Sequence, residues 1–119
     1  MGWGSTKGAI EEAVTRLRAE GHKVSSLHLT FIQPMPSGIR EILKRFARVM
    51  TVENCWSDTN EDQIINEDNR RYSALAVMLR SRFLADVDCW TEVRGRPLKP
   101  GTIYKVIRAR LADGSGVEP

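Results

Sequence analysis

Gly4-Ser5-Thr6-Lys7-Gly8 has the composition of an anion-binding corner. Glycines let a backbone approach a ligand closely, a helix N-terminus favours negative charge, and Ser5, Thr6 and Lys7 add donors. The spacing excludes a P-loop, in which a Gly-Lys-Ser/Thr run follows four spacers; here Lys7 precedes Gly8. It also excludes a dinucleotide fingerprint, because Lys7 stands where the third glycine belongs. Two readings stay open for Gly4, Ser5, Thr6, Lys7 and Gly8: a capped helix start, or a site for phosphate such as that of coenzyme A.

Glu53-Asn54-Cys55-Trp56 is the second place where chemistry is conceivable. Open α/β sheets put their ligands at the C-terminal ends of parallel strands, so a Glu there could serve as a base. Nothing in the sequence sets a His or second carboxylate beside it, and the favoured reading is an anchor for a loop or interface. Cys55 would need a positive neighbour to become a nucleophile. No catalytic residue is assigned. Cys55 and Cys89 form no C-x-x-C pair, and His22 and His28 lack ligand spacing to either, so no metal site is assigned. Trp56 and Trp90 lie beside turns at strand ends. Arg94 and Arg96 belong to a cationic prolyl loop running to Lys99 and Pro100. Trp and Arg are enriched at interface hot spots, so Trp56, Trp90, Arg94 and Arg96 are read as a subunit contact.

The elements that must hold these residues follow from periodicity. Ser5 and Thr6 read as caps, and Ile10, Ala13, Val14 and Leu17 give one apolar helical face that Gly21 ends. Val24 to Ile32 reads as a strand ended by Pro34 and Pro36. Ser37 caps a second helix with Ile39, Ile42, Leu43 and Phe46 on its inner face. Val49 to Val52 is a short buried strand. Asn54 to Asn69 reads as a polar loop. Tyr72 to Leu84 reads as a helix apolar almost all round, hence buried on more than one side. Val87 to Val93 alternates like an edge strand, and Thr102 caps a last helix reaching Leu111. The order predicts a three-layer α/β/α sandwich with a mostly parallel sheet. Gly2 to Thr6 reads as a corner that should follow a strand. That first strand is missing, so the chain reads as a fragment with one sheet flank open.

With 119 residues the chain supports one domain, 1–112, followed by a disordered tail, 113–119. Eighteen basic against fifteen acidic residues leave +3, too small and too interleaved an excess to imply nucleic acid. Six acids fall between Glu53 and Asp68 with no base among them, as on a solvated loop. No apolar run reaches the roughly 18 residues of a membrane helix, and no secretory leader is visible. The expectation is a soluble, cytoplasmic protein without membrane or nucleic-acid partners.

Gly2-Trp3-Gly4-Ser5-Thr6-Lys7-Gly8-Ala9-Ile10, Leu27-His28-Leu29 with Gln33-Pro34-Met35-Pro36, and Val49-Met50-Thr51-Val52-Glu53-Asn54 together resemble the 2-oxoacid:ferredoxin oxidoreductase alpha subunit. Arg70-Arg71-Tyr72-Ser73, Asp86-Val87-Asp88-Cys89-Trp90 and Arg96-Pro97-Leu98-Lys99-Pro100-Gly101 are similar to its 2-oxoglutarate branch. The resemblance implies an enzyme that oxidatively decarboxylates a 2-oxoacid to an acyl-CoA. Thiamine pyrophosphate with Mg2+ and iron–sulfur clusters carry that chemistry, and ferredoxin accepts the electrons. It implies that this chain is similar to the domain like the C-terminal domain of transketolase. That domain packs on the pyrimidine-binding domain of the same subunit and on the catalytic beta subunit, and reaches ferredoxin only through the holoenzyme. No position here matches a thiamine or cluster contact, so the domain itself is expected to bind no cofactor and to be inactive alone. Two cysteines cannot supply the four thiolates of an ordinary cluster.

Overall fold

The structure is a computed structural model, and it describes residues 1–55, 73–92 and 97–112. The described elements are strand β1 (Gly2–Trp3), a 3-10 turn (Gly4–Thr6), helix α1 (Lys7–Ala19), strand β2 (His28–Leu29), helix α2 (Ile39–Lys44), strand β3 (Val49–Glu53), helix α3 (Ala74–Phe83), strand β4 (Val87–Thr91) and helix α4 (Pro100–Ala112).

Among the described residues all strand pairing is parallel. β1 pairs with β2, Gly2 opposite His28, and β3 pairs with β4 from Val49 opposite Val87 to Glu53 opposite Thr91. Met1 joins the two pairs: its amino group donates to Met50 O at 2.7 Å and its carbonyl accepts from Val52 N at 2.8 Å. The strand layer therefore runs β2-β1-β3-β4, and the strand expected to be missing is present in short form. β1 is as short as β2, and Met1 adds one more rung to its ladder with β3.

Alternation along the strands fills both faces, as a sheet covered on two sides requires. Val52 and Trp90 point into one core with Ile10, Val14 and Leu17 of α1 and Ile103 and Tyr104 of α4. Val87 and Cys89 point into the other with Leu29, Ile39 and Leu43, and Leu75, Ala76 and Leu79 of α3. This is the three-layer α/β/α arrangement, with α1 and α4 on one side and α2 and α3 on the other.

Among the described glycines, Gly2 makes the tightest approach. A Cβ there would lie 2.4 Å from Ile10 Cδ1 and 2.6 Å from Thr6 Oγ1, so only glycine lets α1 close on β1. Helix α1 ends as Gly21 predicts. Gly21 takes φ 94°, and the amides of Gly21 and His22 return to Arg18 O and Leu17 O.

Several expectations are corrected. Ser5 and Thr6 make no side-chain cap bond; the Thr6 hydroxyl donates to Trp3 O at 3.0 Å instead. The residue preceding α2 is Gly38, at φ 86°, not Ser37. Helix α4 starts at Pro100, whose fixed φ and missing N–H suit a first turn, and so contains Thr102 rather than being capped by it. The apolar run 24–32 pairs only at His28–Leu29, because β1 offers two residues of partner. Helix α3 buries one stripe, Leu75, Ala76 and Leu79, and leaves Val77 45% exposed, so it is covered on one side. The tail 113–119 and most of the polar loop lie outside the described residues.

Candidate functional site

The order β2-β1-β3-β4 reverses direction between β1 and β3, and the crevice at their C-terminal ends is where such sheets bind ligands. Two structures meet there: the Gly4–Gly8 corner after β1, and Glu53, the last residue of β3.

Glu53 is fully buried. Its Oε1 accepts from Trp3 Nε1 at 2.9 Å and from Leu75 N at 2.8 Å. Its Oε2 accepts from the Thr51 hydroxyl at 2.8 Å, from Ala76 N at 3.4 Å, and from the Ser73 hydroxyl. The Cys55 thiol approaches Oε1 at 3.6 Å. The amides of Leu75 and Ala76 are first-turn donors of α3, so the carboxylate of a strand caps a helix from outside. Burial pushes the Glu53 pKa up. The bonds from Ser73, Leu75, Trp3 and Thr51 outweigh that and hold it below the ordinary 4.5. The charge is thus kept, and its lone pairs are spent on five donors. Such a carboxylate is a poor base and a strong clamp: it ties the end of β3 to the end of β1 and the start of α3. Glu53 therefore acts as the anchor that its position at the strand end suggested.

Cys55 is half-buried. Burial raises its pKa above the ordinary 9.0, the amide of Ala74 works against this, and the Glu53 charge adds to the rise. Its backbone pairs with Thr91, whose hydroxyl accepts from Cys55 N at 3.2 Å and donates to Cys55 O. Burial and the Glu53 charge thus disfavour the thiolate, the form in which a cysteine is a nucleophile. Cys89 is buried in the α2–α3 core.

The corner after β1 is largely open. Gly4, at φ 67°, Ser5, Lys7 and Gly8 are exposed, and Thr6 is buried. Of its side-chain donors, Ser5 and Lys7 face outward, and the Thr6 hydroxyl is committed to Trp3 O. Trp90 is 8% exposed, packed within the α1–α4 core of this chain. Trp56, Arg94 and Arg96 lie outside the described residues.

Sequence reasoning did not find Ser73 or Thr51 as partners of Glu53. Ser73 precedes an apolar helical run, the position where a polar hydroxyl is usually a cap, and that was the available signal. Among the described residues no group of three or more His, Cys, Asp or Glu could hold a metal ion. With two cysteines in the whole chain, the residues present do not fit an iron–sulfur cluster.

A parallel α/β/α domain with a self-filled strand-end crevice is the class that this geometry defines. Residues 1–89 match the family described as pyruvate:ferredoxin oxidoreductase core domain II, and the chain belongs to that family. It is 34% identical over 112 residues, 94% of its length, to the 2-oxoglutarate oxidoreductase subunit KorA of Mycobacterium tuberculosis (strain ATCC 25618 / H37Rv). It is 43% identical over 56 residues, 44% of its length, to the 2-oxoacid:ferredoxin oxidoreductase 1 subunit alpha of Aeropyrum pernix. The chain spans 15% of the first relative and 9% of the second. No solved structure matches.

Proposed function

We propose that this chain is a non-catalytic assembly domain of a 2-oxoglutarate:ferredoxin oxidoreductase alpha subunit. The enzyme converts a 2-oxoacid to an acyl-CoA with thiamine pyrophosphate, Mg2+ and iron–sulfur clusters held by other domains and subunits. Residues 1–112 form the domain, with 113–119 as its tail, and it works in the cytoplasm. Its partners are the pyrimidine-binding domain of the same subunit and the catalytic beta subunit, with ferredoxin reached through the holoenzyme.

The observation that carries this reading is the state of Glu53. The carboxylate at the ligand edge of the sheet is spent on internal bonds, so the crevice is built to hold elements together. Large apolar side chains on the surface support a partner: Phe31 is 68% exposed and Leu84 86%. Among the described residues no helix is long and apolar enough to cross a membrane.

The test is to assay the purified chain for 2-oxoglutarate-dependent ferredoxin reduction, then titrate it with the catalytic beta subunit in sedimentation experiments. The reading expects no turnover alone and a defined complex on mixing. Turnover by the chain alone, or no complex at micromolar concentrations, contradicts it.

A second reading is favoured by the openness of Gly4, Ser5, Lys7 and Gly8 at the switch point: the corner holds a phosphate of coenzyme A. Calorimetry with coenzyme A and the Lys7→Ala variant decides it. Weaker binding in the variant supports the site, and no heat with the native chain removes it.

A further inference from the structure

Among the described residues β4 pairs only with β3 and forms the outermost strand on its side of the sheet. One bond gives the direction of its backbone groups. Glu92 N donates to Glu53 O at 3.2 Å, so the groups of Asp88, Trp90 and Glu92 face β3. Alternate residues along a strand turn their N–H and C=O to opposite edges. Those of Val87, Cys89 and Thr91 therefore point away from β3, along the outer edge.

Two of these outward groups are taken by side chains, one from each face of the sheet. Arg80, in the last turn of α3, donates from Nε to Val87 O at 2.8 Å. Cys89 N donates to Asp88 Oδ1 at 2.8 Å. Asp88 Oδ2 pairs with Arg110 of α4, and both of these charges are half-buried. Arg80 thus reaches the edge from the α3 layer, and Arg110 holds Asp88 in place from the α4 layer. These are the groups that an added strand needs. An antiparallel neighbour exchanges both backbone groups with one residue, so it needs the whole of Val87 or the whole of Cys89. Arg80 removes the acceptor from the first rung, and Asp88 removes the donor from the second. A parallel neighbour would set one residue opposite Asp88 and bond Val87 O and Cys89 N together; both are taken.

We propose that Arg80 and Asp88 close the edge of β4 against β4 of a second copy of this chain. Open strand edges are templates for pairing with another chain, and charged side chains are one means of closing them. A two-fold pair of copies would set the two β4 strands antiparallel, the arrangement in which the Val87 and Cys89 rungs are each broken. The strand needs such a guard. Val87-Asp88-Cys89-Trp90-Thr91 is β-branched and aromatic, and its one charge is that of Asp88. The inference goes beyond the assembly reading and does not depend on it.

The experiment compares the whole chain with Asp88→Ala, Asp88→Asn and the double variant Arg80→Ala/Asp88→Ala. Sedimentation equilibrium measures self-association, and amide hydrogen exchange is followed at Cys89. The double variant is expected to self-associate about tenfold more tightly than the native chain, or more. Asp88→Ala should show a smaller gain, and Asp88→Asn, which keeps an acceptor oxygen for Cys89 N, a smaller one still. Exchange at Cys89 in the double variant should slow as its concentration rises, as for an amide drawn into a ladder. A folded double variant that associates no more than the native chain overturns the proposal. Association that leaves Cys89 exchange independent of concentration also overturns it, because another face is then in contact. So does Asp88→Asn associating as tightly as Asp88→Ala, since the lost charge and not the freed N–H then explains the effect. If the double variant does not fold, Asp88→Ala decides by the same readings. No catalytic subunit is present in these samples, so a failure here leaves the assembly reading standing.

Discussion

Trp3 Nε1 donates to Glu53 Oε1 at 2.9 Å across fifty positions of sequence. This bond closes the ends of β1 and β3 on each other at the point where the sheet reverses its order. The other oxygen of the same carboxylate takes the hydroxyls of Thr51 and Ser73. One side chain thereby fixes two strands and the start of α3.

Glu53→Ala strands an indole N–H, two hydroxyls and the Leu75 amide in a dry site. Each unmet buried donor costs about 1–3 kcal/mol, but partial relaxation limits the sum to about 3–5 kcal/mol, the scale of a broken buried charge network. Glu53→Gln should cost less, because one acceptor oxygen survives. Urea unfolding of both variants tests this order. Equal stability of Glu53→Ala and the native chain would refute the clamp.

Stability should rise with pH in two separate windows. The Glu53 pKa is lower folded than its ordinary 4.5, so the stability it contributes is present above 4.5 and is lost as pH falls through its folded value. The Met1 amino group falls from 8.0 to about 6 on folding. Between those values the unfolded chain holds a proton that the folded chain lacks. Stability therefore climbs from pH 6 to 8 by about 2–3 kcal/mol, at 1.36 kcal/mol per pKa unit. Denaturant titrations from pH 3 to 9 check both steps; Glu53→Gln should flatten the acidic one and, because the Glu53 charge holds the Met1 pKa up, enlarge the upper one.

Gly2→Ala should destabilise the chain by about 1–3 kcal/mol, the cost of overpacking. The added Cβ meets Ile10 Cδ1 at 2.4 Å. Ile10→Val removes that methyl, so the double variant should recover part of the loss. Strict additivity in a double-mutant cycle would place the strain elsewhere.

The Tyr104 hydroxyl donates to the carboxylate of Glu20 at 2.6 and 2.8 Å, and Arg16 lies 3.8 Å over the ring centroid. Tyr104→Phe keeps the stacked ring and loses the bond that joins α4 to the end of α1. A loss of about 1 kcal/mol is expected, reduced by the partial exposure of Glu20. Chemical denaturation of Tyr104→Phe with and without Glu20→Ala measures the coupling, since the cost of Tyr104→Phe should vanish once the acceptor is gone.

Periodicity carried most of the layer order. The apolar spacing of Ile10, Ala13, Val14 and Leu17 is the buried face of α1, and Gly21 ends that helix as its type implies. Short-range signals failed where long-range partners decide. The run 24–32 is apolar enough for a long strand, yet only His28 and Leu29 find a neighbour. The stripe of α3 depends on which side the sheet lies, which a helix apolar all round does not reveal. Glu53 was legible as a residue at a strand end. Its partners were not, because Trp3 and Ser73 are brought to it by the topology. Gly2 looked like part of a turn, and its reason for being glycine is the approach of Ile10.

The central claim is that this domain assembles the oxidoreductase and performs none of its chemistry. The most direct measurement is steady-state 2-oxoglutarate-dependent ferredoxin reduction by the oxidoreductase carrying Glu53→Gln, with subunit stoichiometry measured on the same sample. The account predicts an unchanged kcat per assembled complex and a larger fraction of dissociated subunits. A kcat lowered by about 100-fold or more in a fully assembled complex, the scale at which a general acid or base is lost, would contradict it.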